Sequence, residues 1–372
     1  MKLKKILFIF GTRPEAIKMA PIIQECRKNS NSFETKICIT GQHKEMLQQV
    51  LDFFEIVPDF DLSLMTHNQT LFDITANALK GIEQVLNIYH PDVILVQGDT
   101  TTAMTGALAG YYKKIKVGHI EAGLRSGNIY SPFPEEVNRR IVSTMCTYHF
   151  APTQMAKNNL EKENHKEHIY ITGNTVIDAL LWGVKKVRLS GKIKSEFGFL
   201  DVSKKIILVT AHRRESFGKA FENICDALLQ LAAANPNIEI VYPVHLNPNV
   251  QEVVYNKLSG QKNIHLIKPA SYPQLLWLID RSYLVITDSG GIQEEAPSLG
   301  KPVLVMRDVT ERQEGIDAGT AILVGTEVQN ITGAAQNLLN DSAAYTAMAK
   351  AVNPYGDGTS AQQIVSLLQN FN

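Results

Sequence analysis

The chain has 372 residues, which is enough for two domains with substantial hydrophobic cores. Its 37 basic and 37 acidic side chains balance, so no long-range field favours nucleic acid or an anionic membrane as a partner. The four cysteines have no Cys-x-x-Cys spacing, which argues against a disulfide framework or a zinc site and favours reduced core residues.

The chain opens with an apolar run at residues 6–10, which is too short for a signal peptide and ends in Gly11-Thr12-Arg13-Pro14. We interpret it as a first strand. No later segment reaches the apolar length of a membrane span, so we expect a soluble, cytoplasmic protein.

Short apolar runs then alternate with helical patterns along the whole chain. The first series of predicted strands lies at residues 5–10, 36–40, 93–97, 116–120, 149–151 and 168–172. The second series lies at residues 205–210, 238–244, 263–267, 283–287, 302–306 and 321–324. Most runs are apolar without alternation, which is typical of parallel strands covered by helices on both faces. The pattern predicts an α/β protein with two doubly wound, Rossmann-like domains facing a cleft, with ligands beyond the carboxyl ends of the strands.

We place the domain boundary after residue 173, giving an N-terminal domain of residues 1–173 and a C-terminal domain of residues 174–359. Residues 174–186 have the pattern of a connecting helix, and residues 190–205 that of a polar lead-in to the second sheet. The C-terminal segment, residues 360–372, is predicted to form a helix that packs back on the first domain.

The first predicted strand is followed by a helix start. Thr12 and Glu15 have the spacing of a capping box, and Pro14 suits a first helical turn. Arg13 and Lys18 lie near this helix N-terminus and could bind a phosphate. An ordinary capped surface helix fits the same spacing.

Two predicted strands end in carboxylates, Asp99 and Glu121. In a parallel sheet both would emerge at the same edge, where two acids would push their pKa values apart and so provide a general acid and a general base. Alternatively, Asp99 caps the helix that begins at Thr100. Glu121 is followed by Ala-Gly and has no helix to cap.

A loop at residues 125–134 leads into a predicted helix that carries Glu135 and Arg139. These residues are four apart and share a helix face. They are either a surface ion pair or a third cleft carboxylate with an arginine that orients it or meets a phosphate.

In the second series, His212, Arg213 and Arg214 follow a buried strand, where charged groups are costly without a polar partner. The cluster suits an anion, and His212 could stabilise a departing phosphate. His245 also ends a strand, but a single histidine in such a place is more often structural.

The turn Ser289-Gly290-Gly291 follows the predicted strand at residues 283–287 and leads into a helix start. Free N–H groups, the helix dipole and close backbone approach at glycine would suit a nucleotide diphosphate, with Glu294 and Glu295 placed to accept hydrogen bonds from ribose. A tight turn followed by dipole-favoured glutamates is the alternative.

Taken in order, these motifs resemble the non-hydrolysing UDP-N-acetylglucosamine 2-epimerases of bacteria over nearly the whole chain. The motifs that carry the resemblance lie at residues 11–15, 98–101, 119–125, 134–139, 212–215 and 287–297. The resemblance implies the two-domain GT-B fold of many glycosyltransferases, a homodimer, and interconversion of UDP-GlcNAc and UDP-ManNAc for surface polysaccharide. It also implies that no nicotinamide cofactor and no essential catalytic metal take part.

The family's functional residues match positions in this chain. The resemblance implies as catalytic residues Asp99, Glu121, Glu135, Arg139 and His212. It implies as ligands of the UDP-sugar Arg13, Lys18, Ser289, Gly290, Gly291, Glu295 and Arg312. Some members bind a second UDP-GlcNAc as an activator, and the matching residues are Gln42, His43, Arg213 and His245. The chain departs from the pattern at Asn68, where those members carry a basic residue, and at Gln313, where many relatives have proline.

The chemistry implied is elimination of UDP to a 2-acetamidoglucal, followed by re-addition. A UDP-sugar glycosyltransferase, a hydrolysing epimerase and a non-enzymatic nucleotide-sugar sensor are the competing interpretations. A sensor would have no need for three carboxylates.

Overall fold

The computed structural model describes residues 3–41, 44–64, 69–213 and 217–371. Its contacts divide the chain into two compact units, Met1–Ala179 with Tyr355–Asn372, and Leu180–Pro354. Within the described ranges, no helix has both the length and the apolar character needed to cross a membrane.

The first unit is built on a seven-stranded parallel sheet. Its strands are β1 (Lys4–Phe10), β2 (Phe33–Ile39), β3 (Phe60–Asp61), β4 (Val93–Gln97), β5 (Lys116–Ile120), β6 (Tyr148–Ala151) and β7 (Ile169–Ile171). Their order is β3-β2-β1-β4-β5-β6-β7. The order reverses between β1 and β4, which is where doubly wound sheets bind their ligands.

Helices cover this sheet and carry the chain into the second unit. They are α1 (Arg13–Lys28), α2 (Lys44–Phe53), α3 (Leu71–Ile88), α4 (Thr101–Tyr112), α5 (Glu135–Met145), α6 (Gln154–Lys162) and α7 (Thr175–Arg188). Close packing of α4 on the sheet depends on Gly110, because a Cβ there would lie 2.6 Å from the side chain of Val117 in β5. Gly110 therefore lets the C-terminal end of α4 lie close to the sheet.

The second unit has a six-stranded parallel sheet. Its strands are β8 (Lys205–Thr210), β9 (Ile238–Pro243), β10 (Ile264–Ile267), β11 (Leu284–Thr287), β12 (Val303–Val305) and β13 (Ala321–Leu323). Their order is β10-β9-β8-β11-β12-β13, so the reversal lies between β8 and β11. The predicted fold class, two doubly wound parallel sheets, is confirmed.

The helices of the second unit are α8 (Gly191–Glu196), α9 (Lys219–Ala234), α10 (Pro248–Leu258), α11 (Tyr272–Arg281), α12 (Gly290–Glu295), α13 (Gln313–Asp317), α14 (Val328–Asn340) and α15 (Ser342–Ala349). A short 3₁₀ helix, Ala296–Leu299, directly continues α12. The segment predicted as a polar lead-in contains α8, which Ser190 caps, and the ring of Phe197 stacks on Trp277 at 4.5 Å between centroids. That prediction was incomplete because a six-residue helix has too few turns to show a periodic pattern.

The last helix, α16 (Ser360–Asn370), belongs to the first unit. Lys4 Nζ donates to the carbonyl of Leu368 at 2.6 Å and also to that of Phe371. The ring of Phe371 stacks on Tyr148 of β6, with 3.8 Å between centroids. The two ends of the chain therefore complete one unit.

Candidate active site

A buried glutamate joins the ends of β1 and β4. The carboxylate of Glu15 accepts hydrogen bonds from the N–H groups of Gly11, at 3.0 Å, and Thr12, at 2.7 Å, and from the hydroxyl of Thr100, at 2.7 Å. Burial raises the pKa of Glu15, and these hydrogen bonds oppose the rise. The predicted capping box is confirmed. It fixes the start of α1, where Arg13 is half-buried, next to the strand ends that carry the acids.

Glu121 follows β5 and is 7% exposed. Its backbone has φ +64°, a left-handed conformation that is uncommon for a residue other than glycine. Lys18 Nζ lies 2.5 Å from Oε2, which also accepts from the amide of Gln97 at the end of β4. Asn174 Nδ2 donates to Oε1 at 3.1 Å. The carboxylate thus has donors on both oxygens, and Lys18 belongs to its surroundings.

Asp99 follows β4 and forms an ion pair with Arg139. Asn138 Nδ2 donates to its backbone carbonyl at 2.9 Å. The alternative role of Asp99 as a helix cap is wrong, because the residue that caps α4 is Thr100, whose hydroxyl accepts from Ala103 N–H at 3.0 Å. The side chain of Asp99 is therefore free of capping and engaged with a cation.

The turn that carries Asp99 lies beside Glu121. A Cβ at Gly98 would lie 4.0 Å from Glu121 Oε2, and β4 pairs in parallel with β5 up to Gln97 and Ile120. The predicted emergence of both acids at one sheet edge is confirmed. Their environments differ, since the Glu121 side chain is 5% exposed and that of Asp99 is 29% exposed.

A buried histidine holds this turn from behind. His119 Nε2 lies 2.7 Å from the carbonyl oxygen of Gly98, whose φ is +69°. Burial lowers the pKa of His119 to about 4, so the ring is neutral near pH 7 and Nε2 carries the proton that it donates. His119 therefore supports the backbone before Asp99 without adding charge.

The first alternative for Glu135 and Arg139, a surface ion pair, is wrong within the described residues, and the second, a third carboxylate of the site, stays a prediction. Arg139 NH1 lies 3.3 Å from Glu136 Oε2, and Glu136 also binds Arg140 at 2.8 Å. Burial opposes ionisation of Glu136, but hydrogen bonds from Ser126 and Arg140 outweigh it and lower the pKa. Helical spacing allows partners three or four residues away, and the fully buried Glu136 takes the arginine. Glu135 itself is half-buried at the start of α5.

In the second unit, Asp288 follows β11 and holds the segment after β8. Its Oδ2 accepts from the N–H groups of His212 and Arg213, each at 2.7 Å, and its Oδ1 lies 3.4 Å from His212 Nδ1. The rings of His212 and His245 stack with 5.3 Å between centroids. Burial, reinforced by His212, lowers the pKa of His245. A buried carboxylate thus orients the imidazole of His212.

The glycine turn of the second unit is backed by an arginine. A Cβ at Gly290 would lie 3.4 Å from Arg312 Cζ, and Arg312 Nε donates to Glu294 Oε1 at 2.7 Å. A Cβ at Gly291 would lie 4.0 Å from Glu295 Oε2. The structure therefore separates the two glutamates, since Glu294 orients Arg312 while Glu295 lies beside Gly291.

Ser289 is the residue before α12, so the N–H groups of the first turn have no partner within that helix. Because α12 has only six residues, its dipole is weak. The backbone N–H groups and Arg312 therefore supply most of the attraction that this turn has for an anion. Gln313, where many relatives have proline, begins α13 and donates to Asp317 at 2.9 Å.

Some predicted residues lie outside the described part of the chain. They are Gln42, His43, Asn68 and Arg214. Of the proposed second nucleotide-sugar site, only Arg213 and His245 are described. No group of three or more His, Cys, Asp or Glu side chains within the described ranges is arranged to hold a metal ion.

Four partners of the site were missed from the sequence: Gln97, Asn174, Asp288 and Glu294 as a partner of Arg312. Gln97 and Asp288 each stand at or directly after the end of a buried strand, which is a usable signal. Asn174 carried no such signal, because it lies 53 residues from Glu121 in sequence.

The first unit has a sheet edge with two acids paired to cations, and the second has a glycine turn backed by an arginine. Each feature is typical of α/β enzymes that act on anionic, nucleotide-like substrates. Comparison with known proteins narrows this class. Residues 24–369 match the family model of UDP-N-acetylglucosamine 2-epimerase. The chain is 53% identical over 371 residues to a UDP-N-acetylglucosamine 2-epimerase of Yersinia pestis, covering 98% of each.

Solved structures agree. The UDP-GlcNAc 2-epimerase of Neisseria meningitidis bound to UDP-GlcNAc is 49% identical, with a TM-score of 0.90 over 98% of this chain and 100% of that chain. That of Methanocaldococcus jannaschii in complex with UDP-GlcNAc and UDP is 34% identical, with a TM-score of 0.82 over 99% and 100%. The chain belongs to the UDP-N-acetylglucosamine 2-epimerase family, and the resemblance seen in its motifs is confirmed.

Proposed function

We propose that the protein interconverts UDP-GlcNAc and UDP-ManNAc by eliminating UDP and adding it back. The observation that carries the proposal is the pair of acids at one sheet edge, Asp99 with Arg139 and Glu121 with Lys18. Family membership supports the substrate, since a relative from Neisseria meningitidis has been solved bound to UDP-GlcNAc.

The chemistry explains why several acids are needed. C2 of the sugar carries an acetamido group and is not next to a carbonyl, so its proton is weakly acidic. Loss of that proton while the C1–O bond to UDP breaks gives 2-acetamidoglucal and UDP. A proton delivered to the opposite face of C2, with return of UDP to C1, gives the epimer. Two faces of one carbon therefore need separate proton-transfer groups.

We assign proton transfer to Asp99, Glu121 and Glu135. Their environments are unlike: Glu121 is nearly enclosed by donors, Asp99 is partly exposed beside Arg139, and Glu135 is half-buried on α5. Groups of one residue type in different surroundings can serve as acid and base in the same site. Arg139 and Lys18 offset the negative charge that collects there.

We assign UDP binding to the turn Ser289-Gly290-Gly291, to Arg312 and to Arg13, with Glu295 as the acceptor for ribose hydroxyls. The hydrogen bond that Arg312 Nε donates to Glu294 holds Arg312 in place for a phosphate. His212, oriented by Asp288, would stabilise the departing diphosphate. UDP must stay bound to the protein after its bond to the sugar has broken, and this requires many hydrogen-bond donors to its phosphates.

The test is a reaction in deuterated buffer. UDP-ManNAc formed from UDP-GlcNAc should carry deuterium at C2, followed by NMR, with neither metal nor NAD added. Retention of the original hydrogen at C2 would overturn the elimination route. A glycosyltransferase would give no exchange without an acceptor, and a hydrolysing epimerase would release free ManNAc and UDP.

We also propose that the enzyme is a cytoplasmic homodimer that supplies ManNAc units for surface polysaccharide. Support for a dimer comes from apolar side chains at the neighbouring ends of α3 and α4, where Ile88 is 76% exposed and Tyr112 is 65% exposed. Lys113 joins these ends by a 2.8 Å bond to Asn87.

Light scattering should give twice the 41.3 kDa mass of one chain. A mass of 41.3 kDa at micromolar concentration would contradict the dimer.

A further inference from the structure

Asn174 lies in the short connection between β7 and α7 and is 2% exposed. Both ends of its side-chain amide are used. Oδ1 accepts from the N–H of Val176 at 3.1 Å, and Nδ2 donates to Glu121 Oε1 at 3.1 Å. Because Oδ1 serves the first turn of α7, the orientation of the amide is settled, and its NH₂ group faces the carboxylate.

The residue that accepts this bond, Glu121, has an unusual backbone conformation. Glu121 has φ +64°, and residues with such angles keep them only when surrounding contacts impose them. Lys18 and Gln97 both act on Oε2, whereas Asn174 acts on Oε1. Asn174 therefore contacts a different oxygen from Lys18 and Gln97, and its bond favours one rotation of the carboxylate about its terminal bond.

The backbone of Asn174 also lies where two chain segments of the first unit meet. Its N–H donates to the carbonyl of Tyr355 at 2.7 Å, and a Cβ at Gly173 would lie 2.6 Å from Ser360 Oγ. The chain leaves the first unit after Ala179 and returns to it at Tyr355. Asn174 thus ties Glu121 to both of these segments.

We propose that Asn174 is a positioning residue for Glu121, whose Nδ2 sets the rotation of the carboxylate for proton transfer at C2 of the sugar. The proposal rests on the proposed function. The competing explanation is that Asn174 only caps α7.

Two variants separate these explanations. Asn174→Ser supplies a hydroxyl that caps a helix about as well as the asparagine amide does, but serine is too short to reach Glu121. Asn174→Asp keeps the size and the cap acceptor but places a second carboxylate against Glu121. A residue that only caps α7 would leave kcat almost unchanged in both variants. A positioning residue should cost roughly tenfold to a hundredfold in kcat, with little change in KM, because small misplacements of a reacting group have effects of that order.

The pH profile gives a second readout. A like charge beside Glu121 raises the pKa of that carboxyl, so it holds its proton to higher pH. The limb of the kcat profile that reports Glu121 should therefore move to higher pH in Asn174→Asp, and by less in Asn174→Ser, where the carboxylate only loses a hydrogen bond. A role in capping alone predicts no movement in Asn174→Ser.

The control is Asp341→Ser, which makes a similar cap exchange at α15, where Asp341 accepts from Ala343 N–H at 2.8 Å. The melting midpoint of each Asn174 variant should fall no further below the wild-type value than that of Asp341→Ser does. If a lowered midpoint accompanies a lost kcat, the pH shift of Asn174→Ser decides. Wild-type turnover together with near-normal kcat in both Asn174 variants and an unmoved pH profile in Asn174→Ser would overturn the proposal. A wild type that fails to epimerise would overturn the proposed function and this inference with it.

Discussion

Asp99→Asn, Glu121→Gln and Glu135→Gln are each expected to lose most epimerase turnover while still binding UDP. Amides keep the size and much of the hydrogen bonding of the acids but do not transfer protons, and general acid–base catalysis is worth roughly a hundredfold to ten-thousandfold in rate. Turnover is measured by NMR and UDP binding by calorimetry. Glu222→Gln, which replaces a surface glutamate paired with Lys219, is the control and should stay near wild type.

The three variants should differ in stability. Removing the charge of Glu121 breaks its ion pair with Lys18, whose side chain is 17% exposed, and breaking a buried ion pair costs about 3–5 kcal/mol. Asp99→Asn should cost less, because the Asp99 side chain is 29% exposed and Arg139 keeps its ion pair with Glu136. Glu135 has no ion pair among the described residues. Near-normal turnover in a folded variant would assign that carboxylate a structural role. This test matters most for Glu135, because no cation among the described residues forms an ion pair with it.

Gly290→Val should weaken UDP binding by about 10- to 100-fold while the protein stays folded. The φ angle of Gly290 lies outside the left-handed region, so valine meets no backbone strain there, but its Cβ would lie 3.4 Å from Arg312 Cζ. The larger side chain would displace Arg312 from the phosphate and block the approach to the backbone. Loss of one hydrogen bond to a charged group costs about 1.5–3 kcal/mol, which gives the stated range.

Gly333→Val is the matched control, because an added Cβ at Gly333 meets no atom within 4 Å. Gly290→Ala should fall between the wild type and Gly290→Val, since a methyl group at 3.4 Å is in ordinary contact. Calorimetry that gave wild-type UDP affinity for folded Gly290→Val would remove this turn from the proposed binding site.

The strands were predictable because buried parallel strands leave continuous apolar runs with polar or glycine-rich ends. The exception, β3, is only Phe60–Asp61, and two residues carry no pattern. Strand ends also indicated the acids Asp99 and Glu121, since topology alone brings such ends to one edge.

The hydrogen-bond and ion-pair partners of the site residues were less predictable from the sequence than the positions of those residues. The bond from Asn174 to Glu121 depends on a backbone conformation and a side-chain rotamer that no local pattern encodes. The choice of Glu136 over Glu135 by Arg139 depends on which glutamate is buried, since both spacings suit a helix. Spacing narrows such choices to two candidates, and packing decides between them.

The return of the last helix to the first unit bears on how the chain is made. Domains generally fold as units while synthesis proceeds from the N-terminus. Here, however, β1 makes contacts that can form only late in synthesis, because Lys4 binds carbonyls of Leu368 and Phe371. The first unit is therefore completed only after the whole of Leu180–Pro354 has emerged from the ribosome. A chain interrupted before Ser360 would contain Asp99, Glu121 and Glu135 in a unit that lacks its last helix.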